Sequence, residues 1–381
     1  MMKKYLQGLI KEQIDRGIYL KTLIPFPLPY AELSSLASLC SKTIDDNIAQ
    51  LDFLLKELNR NENDLDYVYR GFRACQRNIE LTEYYGISAL CHHKSDEMEY
   101  LNKLIFKIPQ EINLPLPSPS VACISNSYYY LSPFTNVIFV PIGESNFLLH
   151  LPDVLHEIGH EVLYHRENNL KLKGVEECYR EAVSAITKYY QELLTMKVRE
   201  TGPTKTLQTI MYIHSQWKNY WIDEIFSDLF ACYTLGPAFA WAHLHLVTKK
   251  TDDAYVLTQK HPSDDSRMRI LLIGLKKLGF NKEADEIRSQ WEKMPFIANI
   301  EPVNEYQYAY PEKLMNDVAD ILLRGLRASN FSIVSPAMIA GLKPNSIVKL
   351  LNDAWKEFWI NPLLFREWEQ DCIKKLRFSI K

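Results

Sequence analysis

Along most of the chain the apolar residues recur every three or four positions, the spacing of one buried helical face. Residues 33–58 show it with acids and lysines between the apolar positions, 64–85 continue in the same style, and 96–108 are a shorter stretch of the same kind. Pro25, Pro27 and Pro29 break the chain ahead of this region, and Pro115, Pro117 and Pro119 close it. The period then changes. Residues 120–131 are rich in Val, Ile and Tyr, 132–136 read as a turn, and 137–140 follow as a second short strand, so a hairpin is predicted. Pro141 and the polar 143–146 stretch behind it fit an edge position for that second strand. Helical spacing returns at 151–165, 175–199 (ended by Gly202-Pro203) and 206–221, and again at 265–278, 283–293, 311–328, 346–359 and 362–376. Residues 335–341 read as a short helix with a glycine stop, and 295–302 as a linker. The fold class this pattern predicts is mainly α with a small β element, an α+β arrangement. It divides into a helical region 1–117, a core 118–281 and a second helical region 282–381.

Composition narrows the function classes. With 381 residues, 47% apolar and 24% charged, the chain can bury a large core without disulfides. A net charge of −3 gives no basic field for nucleic acid or anionic lipid. Seven cysteines are scattered singly with no C-x-x-C pair, which fits a reducing compartment and a cytoplasmic location. The first residues lack the unbroken apolar run of a secretion signal. Residues 230–247 carry no formal charge over 18 positions, the lower edge of membrane-spanning length. Gly236-Pro237 and two histidines interrupt them, so a buried core segment is expected and no membrane span.

The chemistry is concentrated in His156-Glu157-Ile158-Gly159-His160. On a helix, positions i and i+4 lie one above the other, so the two imidazoles can reach one metal ion. Glu157 lies about 100° further round, where its carboxylate can hold a water for metal-assisted hydrolysis as general base. Val154, Leu155, Ile158, Val162 and Leu163 form an apolar stripe beside this motif, and Asp153 is a first-turn acid. Gly159 costs roughly 1 kcal/mol of helix propensity, which suggests that another chain segment comes close there. Further on, Glu224 and Asp228 are again i and i+4 in an otherwise apolar stretch, where charges are costly unless paired or metal-bound. One carboxylate as a ligand and one receiving the other ring N–H of a ligand histidine would meet that condition. Glu181, 21 residues beyond His160, is a rival third ligand but lacks an acid four residues on. His92-His93 beside Cys91 read as a solvated helix end. Tyr212, Tyr220, Tyr233 and Tyr255 are possible phenol donors among which the sequence does not choose.

H-E-x-x-H followed by E-x-x-x-D on a later helix resembles the gluzincin metallopeptidases, and DEIFSDLF looks much like the glutamate helix of thermolysin. The 64 residues from His160 to Glu224 look more like the CAAX-prenyl endopeptidase and HtpX-type group. That group also carries H-P-x-x-x-x-R downstream, matched here by His261-Pro262 and Arg267. The resemblance covers residues 151–275 and neither flanking region. It implies a zincin-like core, Zn2+ held by His156, His160 and Glu224, Glu157 as base, Asp228 orienting a ligand histidine, and His261 and Arg267 near the substrate. It also implies a peptide or protein substrate. The chain departs from the membrane group in lacking several clear apolar spans. A zinc-stapled binding protein without catalysis, or a hydrolase of a non-peptide amide, are the alternatives, and the flanking helical regions could recruit a protein partner. An edge strand just before the metal helix could hold an extended peptide by main-chain hydrogen bonds, or simply cap the core.

Overall fold

The computed structural model describes residues 2–28, 31–60, 65–91, 96–123, 129–141, 147–201, 205–250, 253–294, 297 and 300–379. His92-His93, the 143–146 stretch, Gly202-Pro203 and part of the 295–302 linker lie outside the described residues. The chain is mainly helical with one small sheet, as its periodicity predicts. It forms two compact units. Residues 1–106 and 117–145 make the first, and 107–116 with 146–379 the second.

The first unit is built on α1 (Met2–Thr22), α2 (Ser34–Arg60) and α3 (Leu65–Leu81). A π-helical stretch, Thr82–Ile87, carries α3 into α4 (Ser88–Cys91), and α5 (Asp96–Glu111) follows. Leu36, Cys40, Ile44, Leu51, Leu54 and Leu58 fall on one stripe of α2 and are buried, because their spacing keeps to the helical period. The sheet comprises β1 (Ser120–Ala122), β2 (Tyr130–Ser132) and β3 (Val137–Phe139), in the order β1-β3-β2. β2 and β3 form the expected hairpin, with Tyr130 opposite Phe139. β1 runs parallel to β3, with Ser120 opposite Val137. The stretch predicted as one strand therefore supplies two. The 137–139 strand is central and not at an edge, since its backbone is hydrogen-bonded on both sides. On the outer side of β1, Asn102 donates to the Val121 carbonyl at 2.8 Å and accepts from its N–H at 2.8 Å, so a side-chain amide stands in for a neighbouring strand. Ala122, Val137 and Phe139 join the helical core of this unit. The sheet thus belongs with the N-terminal helices and not with a 118–281 core.

The second unit contains, in order, α6 (Asp153–His165), α7 (Lys173–Thr201), α8 (Lys205–Gln216), α9 (Ile222–Leu235), α10 (Pro237–Lys250), α11 (Asp264–Lys277) and α12 (Asn281–Trp291). After these come α13 (Tyr306–Ala309), α14 (Glu312–Ala328), α15 (Pro336–Gly341), α16 (Ile347–Ile360) and α17 (Phe365–Ser379). A π-helical turn, Trp217–Trp221, joins α8 to α9. Every residue of α9 from Glu224 to Leu235 is buried, which explains why its sequence is apolar all round. The uncharged 230–247 run is the end of α9 and most of α10, divided at Gly236, whose φ of 79° reverses the chain. No helix among the described residues is long and apolar enough to cross a membrane. Two helix crossings depend on glycine. A Cβ at Gly159 of α6 would lie 2.7 Å from Ser227 Cα of α9, and one at Gly325 of α14 would lie 2.8 Å from Cys178 Cβ of α7. α14 packs on both α7 and α9, and α16 packs on α10. The helices beyond residue 281 therefore share the hydrophobic interior of the unit that holds α6, and the expected boundary at 281/282 is absent.

Candidate metal centre

α6 presents His156 and His160 on one face, and the Gly159–Ser227 contact lets α9 come close enough to deliver Glu224 to both rings. His156 Nε2 lies 3.1 Å from His160 Nε2 and 3.4 Å from Glu224 Oε2, and His160 Nε2 lies 3.5 Å from Glu224 Oε1. Three donor atoms at such mutual distances could hold one metal ion, and they are the group of that kind among the described residues. The side chains are 11%, 25% and 12% exposed, so His160 offers the most open approach.

Behind the ligand face stands a buried charge relay. His156 donates Nδ1–H to Asp228 Oδ1 at 2.9 Å. Arg267, from α11, donates Nη2–H to Asp228 Oδ1 at 2.6 Å and Nε–H to Oδ2 at 2.8 Å, a bidentate clamp. The Asp228 side chain is wholly inaccessible, and Arg267 is 14% exposed. Arg267 therefore does not face a substrate. It fixes the acid that fixes the histidine, because two planar donors match a carboxylate and leave Asp228 a lone pair for His156. Phe239 of α10 stacks on the His156 ring at 6.1 Å between centroids, holding its plane.

The protonation pattern follows from these neighbours. Burial disfavours charge on His156, but hydrogen bonds to Asp228 and Glu224 outweigh it and lift the ring to about 10. Burial and the charge on His156 push His160 down to about 4. Burial alone would raise Glu224. Hydrogen bonds from His156 and His261 reverse this and hold it well below the usual carboxylate range. Asp228 is likewise held low, with Arg267 overcoming its burial. Without a metal, the site is thus a neutral His160 beside an imidazolium–carboxylate pair.

His261 approaches from the exposed side. Its Nδ1 lies 3.3 Å from Glu224 Oε2, with the side chain 61% exposed. Its backbone is gripped twice by Thr258, whose hydroxyl donates to His261 O at 2.6 Å and accepts from His261 N at 3.2 Å. Trp221 Nε1 donates to Thr258 O at 3.2 Å, and Tyr310 accepts from Ser263 N at 3.0 Å, so the loop is pinned at both ends. Glu157 is half-buried on the same helix as the two histidines. Glu181 is not part of the group. Its side chain is 53% exposed and paired with Arg324, because it sits on the outer face of α7. Among the tyrosines, Tyr233 is buried, Tyr212 and Tyr220 are exposed, and Tyr255 packs edge-on against Tyr306.

A second polar layer escaped the sequence reading. Tyr179 donates to Asp223 at 2.6 Å, one residue before Glu224. Arg166, just past the end of α6, lies 4.2 Å over the Tyr179 ring and 2.9 Å from Glu176. These residues tie α6, α7 and α9 together beside the site. The acid at 223 carried a signal, being a third acid in an otherwise apolar helix, but nothing in the sequence indicates its partner. Comparisons of this chain with protein-family models, curated proteins and solved structures find no match.

Proposed function

We propose that this chain is a zinc-dependent metallopeptidase of the gluzincin type, with His156, His160 and Glu224 as metal ligands and Glu157 as general base. The observation that carries the reading is the 3.1–3.5 Å triangle of donor atoms. Zinc bonds of about 2.0–2.1 Å to nitrogen and oxygen, at tetrahedral angles, put neighbouring ligands about 3.3 Å apart. The donor set of two imidazoles and one carboxylate leaves a fourth position for water or substrate, as catalytic sites do and structural sites do not. Asp228 on His156 supplies the outer hydrogen bond that such ligands need.

Bound there, zinc would lower the pKa of water toward neutrality and polarise a scissile carbonyl. Glu157 takes the proton of the attacking water and passes it to the leaving amine. Asp228, held by Arg267, would keep His156 in the tautomer that leaves Nε2 free to bind the metal. His261, 3.3 Å from Glu224 and 61% exposed, would meet a substrate carbonyl oxygen. Peptides or proteins are the substrate class, and the seven singly scattered cysteines, with no C-x-x-C pair, fit a cytoplasmic enzyme.

The test is made on the full chain. Elemental analysis should find one zinc per chain, removable by chelator. Glu157→Gln should retain the metal and lose peptide hydrolysis by at least a hundredfold, in line with the ~10²–10⁴ of general-base catalysis. Full metal content in Glu224→Gln, or undiminished turnover in Glu157→Gln, would defeat the assignment.

A further inference from the structure

α9 does not start from a cap of its own. It continues α8 through the π-helical turn Trp217–Trp221, where the Ile222 N–H donates to the Trp217 carbonyl five residues back. The extra residue in such a turn shifts every later side chain by about 100° relative to an unbroken α-helix. The aim of Glu224 therefore depends on how this stretch is held. Two indoles anchor the turn, Trp217 Nε1 donating to Ala309 O at 2.7 Å and Trp221 Nε1 to Thr258 O at 3.2 Å. Both anchors precede α9.

The first turn of α9 itself is held from α7. Tyr179 donates its hydroxyl to Asp223 Oδ1 at 2.6 Å. Asp223 and Glu224 are consecutive, so their side chains leave the helix about 100° apart. With Asp223 tied to α7, Glu224 is turned to α6, where its Oε2 lies 3.4 Å from His156 Nε2 and its Oε1 3.5 Å from His160 Nε2. Tyr179 is in turn held from α6. Arg166, just past the end of that helix, lies 4.2 Å over the Tyr179 ring and donates to Leu163 O at 2.6 Å. It also pairs at 2.9 Å with Glu176, one turn before Tyr179 on α7. The contacts close a circuit, from the histidine helix through Arg166, Tyr179 and Asp223 to the acid that faces the histidines. We propose that Tyr179 is a positioning residue of the metal centre, its hydroxyl setting, through Asp223, the rotation of Glu224 toward both imidazoles. This role rests on the metal-ligand reading above and holds whatever the substrate is.

The test is the zinc affinity of the full chain, by competition with a chelating dye, with chemical denaturation of the same metal-free samples. Tyr179→Phe should bind zinc about tenfold more weakly than the parent chain, the lower end of the loss expected when a group behind a ligand is removed. Asp223→Asn keeps an oxygen that accepts the same hydrogen bond, and its affinity should stay within about twofold of the parent. Asp223→Ala should match Tyr179→Phe. Combining those two should weaken zinc no further than either alone, since both break one link. Ile186→Ala, two turns further along α7 at a wholly buried position, is the control for stability alone. It should destabilise the fold at least as much as Tyr179→Phe and leave zinc affinity unchanged. Tyr179→Phe binding zinc like the parent would overturn the role and leave the metal centre standing. So would Asp223→Asn as weak as Asp223→Ala, which would assign the effect to the acid's charge, or Ile186→Ala losing affinity in step with its stability. A parent chain that binds no zinc would overturn the metal centre, and the role with it.

Discussion

At the scale of single residues, the site is governed by which charges are buried together. Asp228 is inaccessible and carries two cations' worth of partners, Arg267 and the His156 ring. Removing the arginine takes away two hydrogen bonds and leaves the buried carboxylate with the His156 ring alone, so Arg267→Met is expected to destabilise the fold by up to about 3–5 kcal/mol, read from chemical denaturation. Asp228→Asn keeps the shape but weakens the orientation of His156, and metal affinity should fall about 10–100-fold by competition with a chelating dye. The two histidines also set a pH dependence. His156 is raised from 6.5 to about 10 in the folded, metal-free protein, so its contribution is complete below 6.5 and is lost as pH climbs toward 10. His160 is lowered from 6.5 to about 4, so folding disfavours its protonation and stability is lost as pH falls from 6.5 toward 4. Considered alone, this pair places maximum stability of the metal-free protein near pH 6.5, measurable by thermal melting across that window. Metal must displace the His156 proton, so affinity should rise about tenfold per pH unit from about 4 up to neutrality, above which ionisation of a zinc-bound water would steepen the rise. Below neutrality, calorimetry in buffers of different ionisation enthalpy should find one proton released per ion.

At the scale of elements, the centre exists because α6 and α9 cross at a glycine. Helix propensity alone would favour Gly159→Ala by roughly 1 kcal/mol. The added methyl would instead meet the Ser227 Cα at 2.7 Å, backbone that cannot rotate aside. The helices must separate, and Gly159→Ala is expected to lower stability by about 1–3 kcal/mol and to weaken metal binding at the same time. A variant more stable than the parent, with full metal affinity, would show that the crossing is not what sets the ligand triangle. The glycine was noticeable in the sequence as a poor helix residue inside a helical motif, but the identity of the segment it admits was not. The strands illustrate the opposite case. Short apolar runs near 120 and 137 announce extended chain, yet pairing order depends on which backbone groups remain free after the core closes. Only the tertiary structure makes 137–139 central, with β1 on one side and β2 on the other.

At the scale of the whole molecule, all residues of the metal group and its relay lie in the unit of residues 146–379. A ligand that binds the folded state stabilises what it touches, by about 2.7 kcal/mol at a hundred times its Kd. Added metal should therefore slow amide exchange in α6, α9 and α11 and leave α1–α3 of the other unit unchanged, as read by hydrogen–deuterium exchange. Equal protection of both units would mean that the chain unfolds as one cooperative body. What the sequence determined by itself was local. Helical period converts a spacing of four into a shared face, so His156 with His160 and Glu224 with Asp228 were visible as pairs before any coordinates. Tertiary structure decided which pairs meet and which way each long side chain turns. Arg267 faces inward to Asp228, Glu181 faces outward to Arg324, and Tyr179 finds Asp223 across 44 residues of chain. Those outcomes rest on burial and on the desolvation cost of each charge. Such costs are properties of packed helices and are not encoded in any one stretch of sequence.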